Sequence, residues 1–289
     1  MNDGGGVSTP IDTGTDDLSA ELRDDGVLVA TLDRPDTRNA FSAAMGAALS
    51  DIYRRADTDD AVRVVVLTGR PPAFCAGADF SGGPAVFERR DRNSFSSCPV
   101  SPTAWQIRKP VIAAVNGHAI GIGFTLTLHC DLRFMARDAK YGIVQVRRGV
   151  MPDALSTWVL PRLVGMAKAA DLMLTGRTFT GDEAESLGVA SRVLANDDVL
   201  PAALEAAHDI AVNTAPVSVA VTKRLLWGSF GFTPAQSLRA ESDLHVHLMG
   251  EADAREGVTA FLERREPHWT MTVNDNWPAE WPGPADEVL

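Results

Sequence analysis

Apolar residues fall along this chain in two spacings. Short β-branched and aliphatic runs at 27–32, 62–67, 111–115 and 131–135 are closed by turn residues and are too short for helices, which predicts strands. Between the first two runs, Phe41, Met45, Leu49, Ile52 and Tyr53 recur every three or four residues behind Ser42, a residue suited to cap a helix N-terminus. Strand, helix and strand in that order predict an α/β fold. After Thr180-Gly181-Asp182-Glu183, which reads as a capping box, the helical spacing takes over, and helices are expected over about 199–213, 216–228, 234–249 and 251–265.

The ends read differently. Residues 1–17 are rich in Gly, Asp and Thr and lack the basic and apolar regions of a signal peptide, so a loose tail is expected there. The sequence then divides into an α/β core over 18–198, a helical segment over 199–268 and an extended tail over 269–289. That tail carries Trp269, Trp277 and Trp281 among prolines, which predicts docking on a folded surface, because so much aromatic area left free invites aggregation.

Composition narrows the function classes. In 289 residues, 45% apolar content is enough for a substantial core, and the net charge of -11 without a basic block argues against nucleic acid as a partner. No apolar run reaches the ~18 residues of a membrane span. Cys75, Cys98 and Cys130 are spaced like neither a zinc site nor a disulfide framework, which fits a reducing cytoplasm. His245 and His247 have no companion ligands, so no metal site is expected. Neither a Gly-x-Gly-x-x-Gly turn after a strand nor a phosphate-loop lysine is present, so nicotinamide and nucleoside triphosphate chemistry are unsupported.

Two stretches carry the chemistry. Ala73-Phe74-Cys75-Ala76-Gly77-Ala78-Asp79-Phe80 and Ala114-Val115-Asn116-Gly117-His118-Ala119-Ile120-Gly121-Ile122-Gly123 are small-residue turns, each after a strand-like run. Gly and Ala leave backbone N–H groups uncovered, so two such turns can hold an oxygen on which charge develops, an oxyanion hole. The pair resembles the crotonase (enoyl-CoA hydratase/isomerase) superfamily. The resemblance extends upstream to 31–42 and downstream to Leu160-Pro161-Arg162-Leu163-Val164-Gly165 and Leu174-Thr175-Gly176, covering about 22–267.

The resemblance implies a spiral of ββα turns followed by a helical segment that builds trimers or hexamers, although periodicity alone equally allows a helical subdomain folded on its own core. It implies an acyl-CoA thioester as substrate, with CoA arriving in the substrate rather than as a cofactor, and the N–H groups of Ala78 and Ile122 as oxyanion donors. Substrate or CoA contacts are implied for Arg38, Ala40, Ala76, Ala78, Asp79, Phe80, His118 and Gly121. Arg38 is a phosphate candidate or a solvated arginine, Asp79 a support for its turn without a proton-transfer role, and His118 a titratable neighbour of the second turn or a structural hydrogen-bonding group. The long segment 81–103, with the charge run Glu88-Arg89-Arg90-Asp91-Arg92, is expected to wall the acyl pocket.

The hydratases of that superfamily use two glutamates, and the chain departs at both places. Thr125 and Gln145 stand there instead, and neither serves as a base near neutral pH. Asp153, eight residues after Gln145, is the remaining acid, at a turn where some superfamily members carry one. It is either the catalytic acid/base, with Gln145 and Thr125 shaping or hydrating the pocket, or the N-cap of the helix that follows. One carboxyl suits double-bond isomerisation, whereas hydration normally uses two. Dehalogenation by attack of Asp153 has no other support, and a catalytically silent acyl-CoA-binding protein or oligomeric partner is the alternative.

Overall fold

A computed structural model of the chain describes residues 7–88, 91, 95–279 and 281. Its strands are β1 (Ser8–Ile11), β2 (Leu18–Arg23), β3 (Val27–Leu32), β4 (Val64–Gly69), β5 (Ala73–Cys75), β6 (Val111–Val115), β7 (His118–Ile120), β8 (Leu132–Ala136), β9 (Lys140–Gly142), β10 (Thr178–Thr180) and β11 (Arg192–Leu194). Among the described residues they form a seven-stranded sheet, β1-β2-β3-β4-β6-β8-β11, and a four-stranded sheet, β10-β9-β7-β5. Strands β3, β4, β6, β8 and β11 run parallel, as do β5, β7 and β9. The chain passes from β4 to β5, from β6 to β7 and from β8 to β9 through short links, so successive turns of a spiral lay one strand in each sheet. This is the expected α/β spiral.

Every residue of β4 and β6 is buried, which explains their unbroken apolar runs: a central parallel strand is covered on both faces. Helix α1 (Ala43–Thr58) starts where expected, with Ser42 Oγ accepting from the Met45 N–H at 3.0 Å, and buries Met45, Leu49, Ile52 and Tyr53. The next helices are α2 (Ile122–Thr125), α3 (Ser156–Val164), α4 (Met166–Thr175) and α5 (Gly181–Leu187). They are followed by α6 (Asn196–Asn213), α7 (Pro216–Gly228), α8 (Pro234–Leu248) and α9 (Ala252–Glu263).

Two expectations change, and a third becomes specific. The tail at 1–17 is partly a strand, because β1 pairs antiparallel with β2 from Ser8↔Arg23 to Ile11↔Ala20. An edge strand held by backbone bonds needs little apolar pattern, so composition concealed it. Helix α6 belongs to the core rather than to a separate helical segment: Val199, Ala203, Ala207 and Ala211, four residues apart, form a small-residue stripe buried in the main cluster over β4, β6 and β8. The tail after 269 docks on its own chain. Met271, Trp277 and Trp281 join Val217, Val221 and Leu244 in a second cluster, Trp269 Nε1 donates to the Val212 carbonyl at 2.9 Å, and Arg108 lies 5.4 Å from the Trp277 ring centre. Residues 280 and 282–289 of that tail lie outside the described residues. None of the helices among the described residues is long and apolar enough to cross a membrane.

Candidate active site

Parallel pairing of β5, β7 and β9 brings their C-terminal ends to one place, so the turns after each strand become neighbours. The Gly121 N–H donates to the Gly142 carbonyl at 2.8 Å, tying the second turn to the end of β9. The first two turns touch closely enough to exclude side chains. A Cβ on Gly77, whose φ is +106°, would stand 3.1 Å from the Ile120 carbonyl oxygen, and one on Gly123 would stand 2.5 Å from that of Cys75.

The direction of the Ala78 N–H follows from its bridge. Phe41 donates to the Gly77 carbonyl at 2.7 Å and accepts from the Asp79 N–H at 3.2 Å, so the intervening residue, Ala78, turns its own N–H to the opposite side. Ile122 is the first residue of α2, where an N–H has no partner inside the helix. Among the described residues neither N–H has a protein acceptor. The Ile122 side chain is buried in the main core, so it does not cover the donor. Ala76 is excluded from the oxyanion role, because its N–H donates to the Arg38 carbonyl at 3.0 Å.

Thr125, Gln145 and Asp153 meet. Asp153 Oδ1 accepts from Thr125 Oγ1 at 2.6 Å and from Gln145 Nε2 at 2.9 Å. Asp153 is not a helix cap: the N-cap of α3 is Leu155, without a side-chain cap bond. Ala154 and Leu155 both adopt left-handed conformations, φ 48° and 51°, which are strained for side-chain-bearing residues. The turn is held by the Ala154 N–H on the Ser97 carbonyl at 3.0 Å and by His129 Nε2 on the Ala154 carbonyl at 2.6 Å. A carbonyl only accepts, so Nε2 carries the proton. Burial pushes the His129 pKa down to about 4, keeping the ring neutral.

Burial also raises the Asp153 pKa, against the lowering effect of the Thr125 and Gln145 bonds. Cys98 is half-buried close enough to feel the Asp153 charge, and burial raises its thiol pKa. Together with Ser97 it brings the return leg of the 81–103 segment against this turn. Residues 89, 90 and 92–94 of that segment, most of the charge run, lie outside the described residues.

The remaining candidates separate. Asp79 is a structural anchor: the Ser81 N–H and the Arg34 guanidinium hold its carboxyl down to about 2, and Arg34 Nη1 also donates to the Ala40 carbonyl at 2.7 Å. Arg38 and Phe80 are exposed beside these turns. His118 stands at the start of β7, away from the turn that ends it, and its Nδ1 accepts from the Lys140 N–H at 2.8 Å; it links strands rather than lining the site. Sequence reasoning missed Asn39, Arg34 and His129. Asn39 is fully buried in a left-handed conformation, and its Nδ2 donates to the carbonyls of Arg70, Ala73 and Phe74 at 2.8, 2.7 and 3.2 Å. Its Oδ1 accepts from the Arg34 N–H at 2.8 Å, so it bolts the upstream turn to β5. Its type and its place before Ala40 were visible; its partners, more than thirty residues away, were not. Among the described residues no group of His, Cys, Asp and Glu is arranged to hold a metal.

The sequence profile of the enoyl-CoA hydratase/isomerase family matches residues 23–272. The chain belongs to that family. It is similar to enoyl-CoA hydratase AFT3-1 of Alternaria alternata, 36% identical over 253 residues that span 87% of this chain and 85% of the relative. It is likewise similar to 1,2-epoxyphenylacetyl-CoA isomerase of Escherichia coli K12, 34% identical over 85% of this chain and 95% of that one. The crystal structure of a probable enoyl-CoA hydratase/isomerase from Mycobacterium abscessus superposes with a TM-score of 0.85 at 50% identity, covering 91% of this chain and 99% of the other. For a member of the enoyl-CoA hydratase/isomerase family, an acyl-CoA thioester is the substrate class.

Proposed function

We propose that this protein isomerises the double bond of an enoyl-CoA. The N–H groups of Ala78 and Ile122 hold the thioester oxygen, so that removal of a proton from Cα gives an enolate whose charge rests between two fixed donors. Asp153 takes that proton and returns it at Cγ while the double bond moves, and the reverse direction exchanges the two carbons. Adding water instead would need one group to deprotonate the water and another to protonate Cα. The observation that carries the reading is that Thr125 and Gln145 both donate to Asp153, so one carboxyl serves where two would be needed. Among similar proteins the names differ: the one in E. coli is named an isomerase of 1,2-epoxyphenylacetyl-CoA, and AFT3-1 is named an enoyl-CoA hydratase.

The same reading takes CoA as part of the substrate with no separate cofactor, and the cytoplasm as the compartment. It also takes the protein as a trimer or pair of trimers. Val258, Phe261 and Leu262, three and four residues apart on α9, are 61%, 81% and 73% exposed, an apolar stripe that suits burial against another copy.

Purified protein offered 2-enoyl-CoA and 3-enoyl-CoA series is expected to interconvert them, and Asp153→Asn to abolish turnover with acyl-CoA affinity nearly unchanged. Formation of 3-hydroxyacyl-CoA would make it a hydratase. Binding of CoA esters without any conversion would make it a silent acyl-CoA-binding protein. Full activity in Asp153→Asn would remove Asp153 from the chemistry.

A further inference from the structure

We infer that Thr125 and Gln145 are positioning residues that grip Asp153 by one carboxyl oxygen and leave the other, Oδ2, to carry the proton. The inference rests on Asp153 being the acid/base. Both bonds, 2.6 and 2.9 Å, end on Oδ1. Among the described residues no side chain donates to Oδ2, and that atom is not among the buried, unpartnered ones. Two side-chain donors on one oxygen stabilise the ionised carboxylate and spread its charge toward them, so the proton goes to the oxygen that no side chain holds.

The Gln145 amide has its orientation set by the same contact. A carboxylate only accepts, so Nε2 faces Asp153 and Oε1 points away. Oε1 is buried with no donor among the described residues. A buried acceptor without a donor is unfavourable, and an apolar side chain filling the same space would avoid it. The charge-assisted bond from Nε2 to Asp153 is the compensating interaction that the structure offers.

The positions that would hold glutamates in the hydratases therefore hold the two donors that a relocated acid requires. Carboxylates at both would face Asp153 at hydrogen-bonding distance as like charges, and all three could not ionise together. The other groups near Asp153 supply no cation. The Cys98 thiol stays protonated at neutral pH because burial raises its pKa, and His129 is neutral and spends its N–H on the Ala154 carbonyl. No Lys or Arg pairs with Asp153 among the described residues. Its basicity is then set by burial upward and, downward, by these two donors first and by its own backbone N–H after them.

The test is the acid limb of kcat/KM against pH, which reports the ionisation of the free enzyme's base. Thr125→Val keeps the volume and removes one donor, and should move the limb up by about one pH unit, since a hydrogen bond to a charged group corresponds to that much or more. Gln145→Met should move it the same way, Thr125→Ser should restore it, and Gln145→Glu should move it further and suppress activity near neutrality instead of creating a hydratase. Infrared titration of the Asp153 carboxyl, isolated by difference from Asp153→Asn, gives the same ionisation without turnover and serves for any variant too slow to assay. Variants that lose rate while both the limb and the infrared titration stay where they are in the parent would overturn the inference and make Thr125 and Gln145 packing residues. Undiminished activity in Asp153→Asn would instead overturn the reading of Asp153 itself.

Discussion

Replacing His129 with glutamine should flatten the loss of stability on mild acidification. His129 is 1% exposed, and its pKa falls from the ordinary 6.5 to about 4 on folding. A depressed folded pKa means that the unfolded chain binds the proton more readily. The contribution is therefore fully present above pH 6.5 and is lost as pH falls from there toward about 4. Linkage with these two values puts the loss between about pH 7.5 and about pH 5 at roughly 2 kcal/mol, a sizeable part of a typical folding free energy. Glutamine keeps an N–H donor for the Ala154 carbonyl but does not titrate. Urea unfolding followed by tryptophan fluorescence, at fixed protein concentration and at both pH values, measures the effect. With an m-value of about 3 kcal/mol/M, the parent midpoint should fall by roughly 0.7 M more than that of His129→Gln. Carboxylates titrating in the same window contribute equally to both proteins and cancel in the difference. Equal pH dependence in the two would refute the buried, neutral histidine. His129 also supports the turn that places Asp153, so that turn should loosen in the same pH window, seen as increased hydrogen exchange at the Ala154 N–H.

Two further outcomes follow from other contacts. Asn39→Ala should destabilise the fold by about 3 kcal/mol, because it strips one shared donor from three carbonyls and leaves them beside a void, and thermal unfolding would show it; a change under about 0.5 kcal/mol would mean that water replaces the amide at no cost. Phe261→Asp should dissociate the proposed trimer by placing a charge in the apolar stripe of α9, and light scattering that gives the same mass for variant and parent would place the contact elsewhere.

What could be read from residues alone was local. The β-branched runs became β3, β4 and β6 within two residues, because a strand covered on both faces must be apolar throughout. Helix α1 and its Ser42 cap were legible because spacing and capping are settled within one turn of chain. The two small-residue turns were legible for the same reason: the residues that let two backbones meet are adjacent in sequence, and only their convergence had to wait for the pairing of β5 with β7.

Asp153 was ambiguous for a physical reason. An acid before a helix is both a cap and a potential base, and the residue types around it do not decide between them. The left-handed pair Ala154-Leu155 removes the cap alternative, since Leu155 takes the N-cap place of α3, and the contacts that support that pair come from Ser97 and His129, 57 and 25 residues away along the chain. His118 went the other way, since residues beside a turn in sequence can lie at the far end of its strand. Pattern and composition thus determined the strands, the first helix and the two turns, where each residue answers to its neighbours or to burial. The meeting of Thr125, Gln145 and Asp153, the bolt made by Asn39 and the docking of the tryptophan-rich tail were decided only by the tertiary structure, because each depends on a partner that the chain must fold to meet.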